Sequence, residues 1–215
     1  MFRTLLSVGA LAGLTGALAL AFHAGRLSGA PSLTLAAQPE GMGQPTPEQI
    51  RAMIQQGAAK APEHEHLQGL VGEWDATISF LSAPGAQPDV SKMTASITPI
   101  LDGRYVLSHY TGSFKYMGAE IPFEGYGMVG YDKVRGHFTS AWGDNMSTSM
   151  LVQTGPFKEG AIDLKGEMPD GMGGAMPMRH RHVVNDDGSY TLEFHQPNPA
   201  TGEMVKIGWI DHAKR

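Results

Sequence analysis

The sequence predicts an all-β chain folded as an antiparallel barrel, preceded by one short helix. Three observations predict it. From Trp74 onward, apolar and polar residues alternate with a period of two in short runs. Turn-forming residues separate those runs at close intervals, supplied by 28 glycines and 14 prolines. No long segment of helical period interrupts the runs, which argues against a parallel α/β sheet and for strands joined as a meander. About ten such strands curl into a barrel, because closure removes exposed edges.

Taken from the N-terminus, Arg3 precedes an uncharged run over residues 5–22, LLSVGALAGLTGALALAF. A cationic start, a short apolar stretch and an A-x-A site at Ala19-Leu20-Ala21 predict a cleaved signal peptide within residues 1–30. The run also has about the minimum length to span a bilayer, so an uncleaved membrane anchor through residues 5–22 is the alternative. Its Gly, Ala, Ser and Thr content makes it weakly hydrophobic and favours cleavage. Either way the rest of the chain is expected to be exported, periplasmic or extracellular, or held at the inner membrane. Loss of Arg3 and Arg26 with the leader takes the formal charge from -5 to -7.

Residues 31–46 carry Pro31, Pro39 and Pro45 with few apolar side chains, and read as a flexible tether. A short helix and linker follow over residues 47–63. Thr46 suits its N-cap, Pro47 its first position, and Gln49 completes a capping box. Ile50, Met53 and Ile54 share one face and Gly57 ends the pattern, as in a helix packed on a domain edge. The barrel domain is expected over residues 64–215. Its first strand sets Trp74, Ala76, Ile78 and Phe80 against Asp75, Thr77 and Ser79. Similar alternation recurs over residues 93–97, 105–111, 123–131, 138–142, 147–153, 162–164, 178–184, 190–194 and 205–209. Turn signals lie between them at Ala83-Pro84-Gly85, Leu101-Asp102-Gly103, Asp186-Asp187-Gly188 and Asn198-Pro199.

Composition excludes several classes of function. The absence of cysteine removes disulfide scaffolds, thiolate metal sites and cysteine nucleophiles. A mildly acidic chain without a basic stripe argues against nucleic acid as a partner. The sequence contains neither H-E-x-x-H, nor a phosphate-cradling glycine loop opening a helix, nor a nucleophile elbow.

The segment from His64-Glu65-His66 to Gly72-Glu73-Trp74 resembles the opening of DUF1579, a bacterial family of unknown function. The resemblance continues through Asp102-Gly103-Arg104-Tyr105, Phe123-Glu124-Gly125 and Gly130-Tyr131-Asp132, and is strongest at Trp142-Gly143-Asp144-Asn145-Met146-Ser147-Thr148. It covers roughly residues 64–215 and implies a lipocalin-like barrel without supplying a reaction. Gly72-Glu73-Trp74 is also similar to the G-x-W that opens lipocalin barrels. That likeness makes Gly72 and Trp74 structural, with Lys214 or Arg215 as the cation over the indole.

Three clusters are candidates for chemistry. Trp142, Asp144 and Asn145 place an aromatic ring and polar groups where a barrel mouth would be, while the same Gly, Asp and Asn suit a hairpin turn. On one strand face Met176, Met178, His180 and His182 would line up, with Met168 and Met172 before them. Thioethers and imidazoles suit Cu(I), but Pro177 disturbs the strand, and Arg179 and Arg181 oppose a cation. The favoured reading therefore makes His180 and His182 lining of a cavity. His64 and His66 form an H-x-H beside Glu63 and Glu65, without a third ligand assignable by spacing. His109 and His137 lie on predicted strands and read as satisfied structural histidines.

The leading expectation is an exported barrel that binds a small, largely apolar molecule in its interior, with Trp142, Asp144, Asn145, His180 and His182 at the site. The alternatives are an enzyme using Asp144 with a nearby histidine, an envelope copper protein built on Met176, Met178, His180 and His182, and a filled barrel that binds nothing. Ligand identity, catalytic activity, cofactor and oligomeric state are left open.

Overall fold

The computed structural model describes residues 44–215, apart from residues 84, 117 and 171. The signal peptide or anchor expected within residues 1–30, and the tether up to residue 43, lie outside the described residues. The chain divides into a unit of residues 1–53 and a unit of residues 54–215.

Of the first unit, residues 44–53 hold the start of helix α1 (Pro47–Ala58). The expected capping box is present: Thr46 Oγ1 accepts the Gln49 N–H at 3.2 Å, and Gln49 Oε1 accepts the Thr46 N–H at 2.8 Å. No residue of α1 is buried, and Met53 is half-buried. The helix also runs one residue past Gly57. Its last carbonyls are met by cations, which suits the negative end of a helix dipole. Lys133 Nζ donates to Gln56 and Ala59, and Arg104 Nε to Ala58, each at 2.8 Å.

The second unit continues with a 3-10 turn (Pro62–His64), a one-turn helix α2 (Glu65–Gln68) and the strands. These are β1 (Gly72–Phe80), β2 (Asp89–Ile100), β3 (Tyr105–Tyr116), β4 (Ala119–Asp132), β5 (His137–Asp144), β6 (Leu151–Gly155), β7 (Phe157–Lys158), β8 (Ala161–Pro169), β9 (Ala175–Val184), β10 (Tyr190–Pro197) and β11 (Met204–Lys214). All pairings are antiparallel between sequence neighbours, apart from two. β1 pairs with β11 from Trp74↔Lys214 to Phe80↔Gly208, and β6 pairs with β8 from Val152↔Glu167 to Thr154↔Lys165. Those two pairings close ten strands into a barrel, with β7 a spur on β8. The expected all-β antiparallel barrel with a short N-terminal helix is therefore the fold.

Closure at β6 and β8 rests on glycine. A Cβ on Gly155 would collide with the Asp163 carbonyl oxygen, and one on Gly166 with that of Val152. Backbone atoms cannot swing aside as a side chain does. Gly155→Ala is therefore expected to destabilise the barrel by about 3 kcal/mol, seen as a lowered urea midpoint. An unchanged midpoint would mean that the β6–β8 seam carries no stability.

Two local expectations are refined. The strand expected over residues 147–153 starts at Leu151, because Asp144 Oδ1 accepts the Met146 N–H and Ser147 Oγ the Ser149 N–H, which holds that stretch as a loop. Pro177 stays inside β9. It pairs with Glu167 of β8, while pairing with β10 starts only at Arg179, so at Pro177 the strand has a partner on one side and tolerates a proline as an edge does.

The turns explain several of the motif residues. Leu101, Asp102 and Gly103 all have left-handed backbone, with φ of 49°, 59° and 73°, between β2 and β3. Arg104 donates to Leu101 O at 2.9 Å and braces that turn. Asp132 Oδ1 accepts the N–H groups of Val134 and Arg135, so the carboxyl is held below its usual range chiefly by the Arg135 amide.

Candidate functional site

Strand alternation sends Trp74, Ala76, Ile78 and Phe80 of β1 inward, as their burial shows. The neighbouring strands contribute Met93, Ala95, Val106, Tyr110, Phe114, Val129, Phe138, Leu164, Tyr190, Leu192 and Ile210 to the same core. One end of the barrel is shut by the segment before β1, where Leu67 and Leu70 are buried. Trp74 is fully buried there and donates its indole N–H to Leu70 O at 3.1 Å. Gly72 lies against that indole: a Cβ would stand 3.1 Å from Trp74 Cε2, so the ring would have to give by a few tenths of an ångström to admit one. The cation over the ring is Lys214, its Nζ 5.8 Å from the ring centroid. Arg215 is not that cation: its Nε is 2.9 Å from Asp75 Oδ1 instead.

Above Trp74 lies a buried polar chain that spacing had not revealed. Tyr190 donates its hydroxyl to Tyr110 at 3.0 Å, Tyr110 donates to His212 Nε2 at 2.8 Å, and His212 Nδ1–H donates to Tyr190 O at 3.0 Å. This network assigns the proton to Nδ1. Burial raises the Tyr110 and Tyr190 hydroxyl pKa values and pushes His212 down to about 3, so all three are neutral. They hold one another and fix the barrel centre, which fits a structural network better than an acid–base pair.

The other end differs. Phe80, Phe123, Trp142 and Phe194 face inward yet are only partly buried. Their rings form an arc: Phe80 to Phe114 at 5.9 Å, Phe114 to Phe123 at 6.3 Å, and Phe123 to Trp142 at 6.3 Å and nearly parallel. Gly208 pairs with both Phe80 and Phe194, and the two rings pack over it: a Cβ there would stand 3.0 Å from Phe80 Cδ2 and 3.4 Å from Phe194 Cδ2. His180 stands edge-on to Phe194 at 5.0 Å.

Trp142 has a built seat. Gly125 and Gly127 lie under the indole; a Cβ on the first would collide with it, and one on the second would stand 2.8 Å from Trp142 Cε3. This is the reason for Gly125-Tyr126-Gly127, which alternation alone suggested as a bend. Tyr110 meets the ring edge-on at 5.5 Å, and Asp144 Oδ2 accepts the indole N–H at 2.7 Å. The other Asp144 oxygen takes the Met146 N–H, so neither partner is a histidine. Asn145 Oδ1 accepts the Glu124 N–H at 3.1 Å, and its amide donates to Pro122 O at 3.0 Å. Asp144 and Asn145 thus orient the Trp142 ring and the loop. On the outer wall beside them, Glu124, Tyr126, Ser147 and Met150 border an open groove. There His109 stacks on Tyr126 at 4.2 Å and bonds Glu124 at 3.0 Å, a satisfied histidine.

The histidines of β9 separate along the axis. Both face inward with Met176 and Met178, while Arg179 and Arg181 point the other way onto Asp163 and Glu193. His180 belongs to the aromatic arc. His182 lies deeper, parallel to Tyr190 at 6.0 Å, and shares its surroundings with Leu70 and Ile162 at the shut end. Burial pushes His182 down to about 4, and pushes His180 to about 3 with help from His182 and His195. His182 Nδ1 has no hydrogen-bond partner among the described residues, a deficit that costs about 1–3 kcal/mol. Met178 Sδ accepts from Gln196 Nε2 at 3.0 Å, and Met168 pairs with Met176 across β8 and β9. Met172 stands apart, almost fully exposed. His64 accepts the Ala61 N–H through Nδ1 at 3.0 Å, and His66 stacks on Phe157 at 3.6 Å. Among the described residues, no group of three or more His, Asp or Glu is placed to hold a metal ion.

The family model described as Protein of unknown function (DUF1579) matches residues 59–212. No curated protein matches the chain.

Proposed function

The chain belongs to the DUF1579 family, which is of unknown function, and we propose from its own geometry that it is an exported, lipocalin-like binding protein for a small, largely apolar molecule. The observation that carries the reading is the arc of inward-facing rings left partly exposed at one barrel end. A β-barrel core ordinarily buries such rings; here four of them pack against the core and keep part of their apolar surface exposed. Trp142 is held rigidly by its glycine floor and by Asp144, so a ligand would meet a preformed wall rather than order one on arrival. His180 and Gln196 supply the few polar groups near that wall, which suits a ligand with one polar end.

Residues 1–30 carry the chain out of the cytoplasm and are removed in this reading. Intact mass of the protein from its own host should then show a new N-terminus between Phe22 and Pro31. Native mass spectrometry of the same material should show a retained small molecule at one per chain. An apolar fluorophore such as 1-anilinonaphthalene-8-sulfonate should bind the emptied protein at one per chain. Phe194→Ala and Trp142→Ala should each weaken it about tenfold, from about 1.5 kcal/mol of lost ring burial. Unsaturable binding, or binding by both variants as tight as that of the unsubstituted protein, would refute the proposed site.

A further inference from the structure

We infer that the barrel end opposite the Trp74 plug holds a metal site for the soft monovalent ion Cu(I), built from the thioethers of Met168, Met176 and Met178. Strand register brings the three together. Met168 of β8 lies directly opposite Met176 of β9, and Met178 follows two residues on along the same inner face. Along β9 the order His182, His180, Met178, Met176 runs away from the shut end, so the methionines stand nearest the mouth. Directly opposite residues have Cβ atoms about 5 Å apart, next-but-one residues on a strand about 7 Å, and diagonal ones about 8 Å. A triangle with those sides has a point about 4 Å from every corner. Each sulfur stands two bonds beyond its Cβ, and a metal–sulfur bond adds about 2.3 Å, so all three side chains reach that point.

One corner is already held. Gln196 Nε2 donates to Met178 Sδ at 3.0 Å, and the sulfur keeps a second lone pair for a metal. Met168 and Met176 are half-buried, which leaves them open to an ion from solution. Methionines retained only to fill a core would be buried there.

The donors choose the ion. Three neutral, polarisable sulfurs suit Cu(I), whereas magnesium and calcium take oxygen, and imidazole suits zinc. The arginines interleaved with them in sequence do not oppose the charge. Arg179 points to the outer face and grips Asp163 with two hydrogen bonds of 2.7 Å, and Arg181 is paired with Glu193. The hairpin joining β8 to β9 carries Asp170 instead, its carboxyl held below the usual range by the Met172 and Gly174 amides. His180 is not in the set, since it lies opposite Leu164, and His182 belongs to the shut end.

Cu(I), supplied as its acetonitrile complex under nitrogen, tests this on the full chain by NMR of the methionine methyl groups, with Zn(II) as the comparison ion. The Met168, Met176 and Met178 methyls should shift together and saturate at one Cu(I) per chain. Those of the exposed Met150, Met172 and Met204 should stay in place, and Zn(II) should move none of the six. Met176→Leu keeps the volume and should weaken uptake at least about a hundredfold, since even an outer-shell partner is worth about ten- to a hundredfold to a metal site. Met168→Leu should do the same and serves where Met176→Leu does not fold, while Met172→Leu should change nothing. Thioethers carry no proton to displace, so the affinity should be equal at pH 6 and pH 8. Unsaturable uptake, shifts spread over the exposed methionines, or movement of the same three methyls by Zn(II) would overturn the inference. So would equal effects of Met172→Leu and Met176→Leu, or an affinity that rises with pH as a histidine ligand would make it. Trp142 and Phe194 take no part in the site, so binding of the fluorophore is read separately.

Discussion

Trp74→Ala is expected to cost about 5 kcal/mol, most of the stability a domain of this size possesses. The side chain is fully buried, meets Tyr190 edge-on at 5.9 Å and His212 at 6.1 Å, and its loss leaves a hole under the buried polar chain. It also strands the Leu70 carbonyl, whose hydrogen bond ties the plug to β1. Trp74→Phe isolates the second effect, keeping most of the volume and losing the donor, and should cost about 1–2 kcal/mol. Trp142→Ala gives the contrast: a partly exposed ring at the other end should cost the fold far less while weakening the apolar probe. Urea unfolding of the three variants reads this directly. If Trp74→Ala and Trp142→Ala lowered the midpoint equally, the division between a structural and a binding indole would be wrong.

The fold was legible because alternation is a short-range property. Trp74 to Phe80 announces both its strand and its inward face, and turn residues such as Asp102-Gly103 mark the corners. The capping box at Thr46 and Gln49 is equally local, and it formed as expected. What escaped depends on residues far apart in the chain. Tyr110, Tyr190 and His212 meet only after the barrel closes, across separations of 80 and 102 residues. Gly125 and Gly127 look like strand glycines until Trp142 is laid over them by the β4–β5 register, Gly127↔Trp142. His180 and His182 were correctly set on one face, but two residues along the strand carry a side chain from the partly buried aromatic arc toward the shut end. The choice between Lys214 and Arg215 turned on parity as well. Lys214 pairs with Trp74 across the β1–β11 seam, whereas Arg215 lies past the strand and reaches Asp75.

Acidification from pH 7 to pH 4.5 is expected to unfold the barrel ahead of its carboxylates. His212 and His182 have folded pKa values pushed down by burial to about 3 and about 4, against about 6.5 in an unfolded chain. Between those limits the unfolded chain binds more protons than the folded one. Stability therefore rises with pH across the window and is lost as pH falls below 6.5. Each histidine contributes about 1.4 kcal/mol per pH unit there, so the two together give about 3. His180, pushed the same way, adds to the slope. Asp132, Asp163, Asp170 and Asp187 have lowered pKa values, and their stabilisation is lost only at a lower pH, as each is protonated. Two units of acid below pH 6.5 thus remove about 5 kcal/mol, within reach of the whole folding free energy. His182→Phe removes one of these protons while keeping a ring against Tyr190. Its urea midpoint should fall less steeply from pH 6.5 to pH 4.5, by about 1.4 kcal/mol per unit in free energy. A wild-type midpoint that stays level between pH 7 and pH 5 would show that these imidazoles are hydrated in the folded protein. The barrel would then be wet where the structure places its driest histidines.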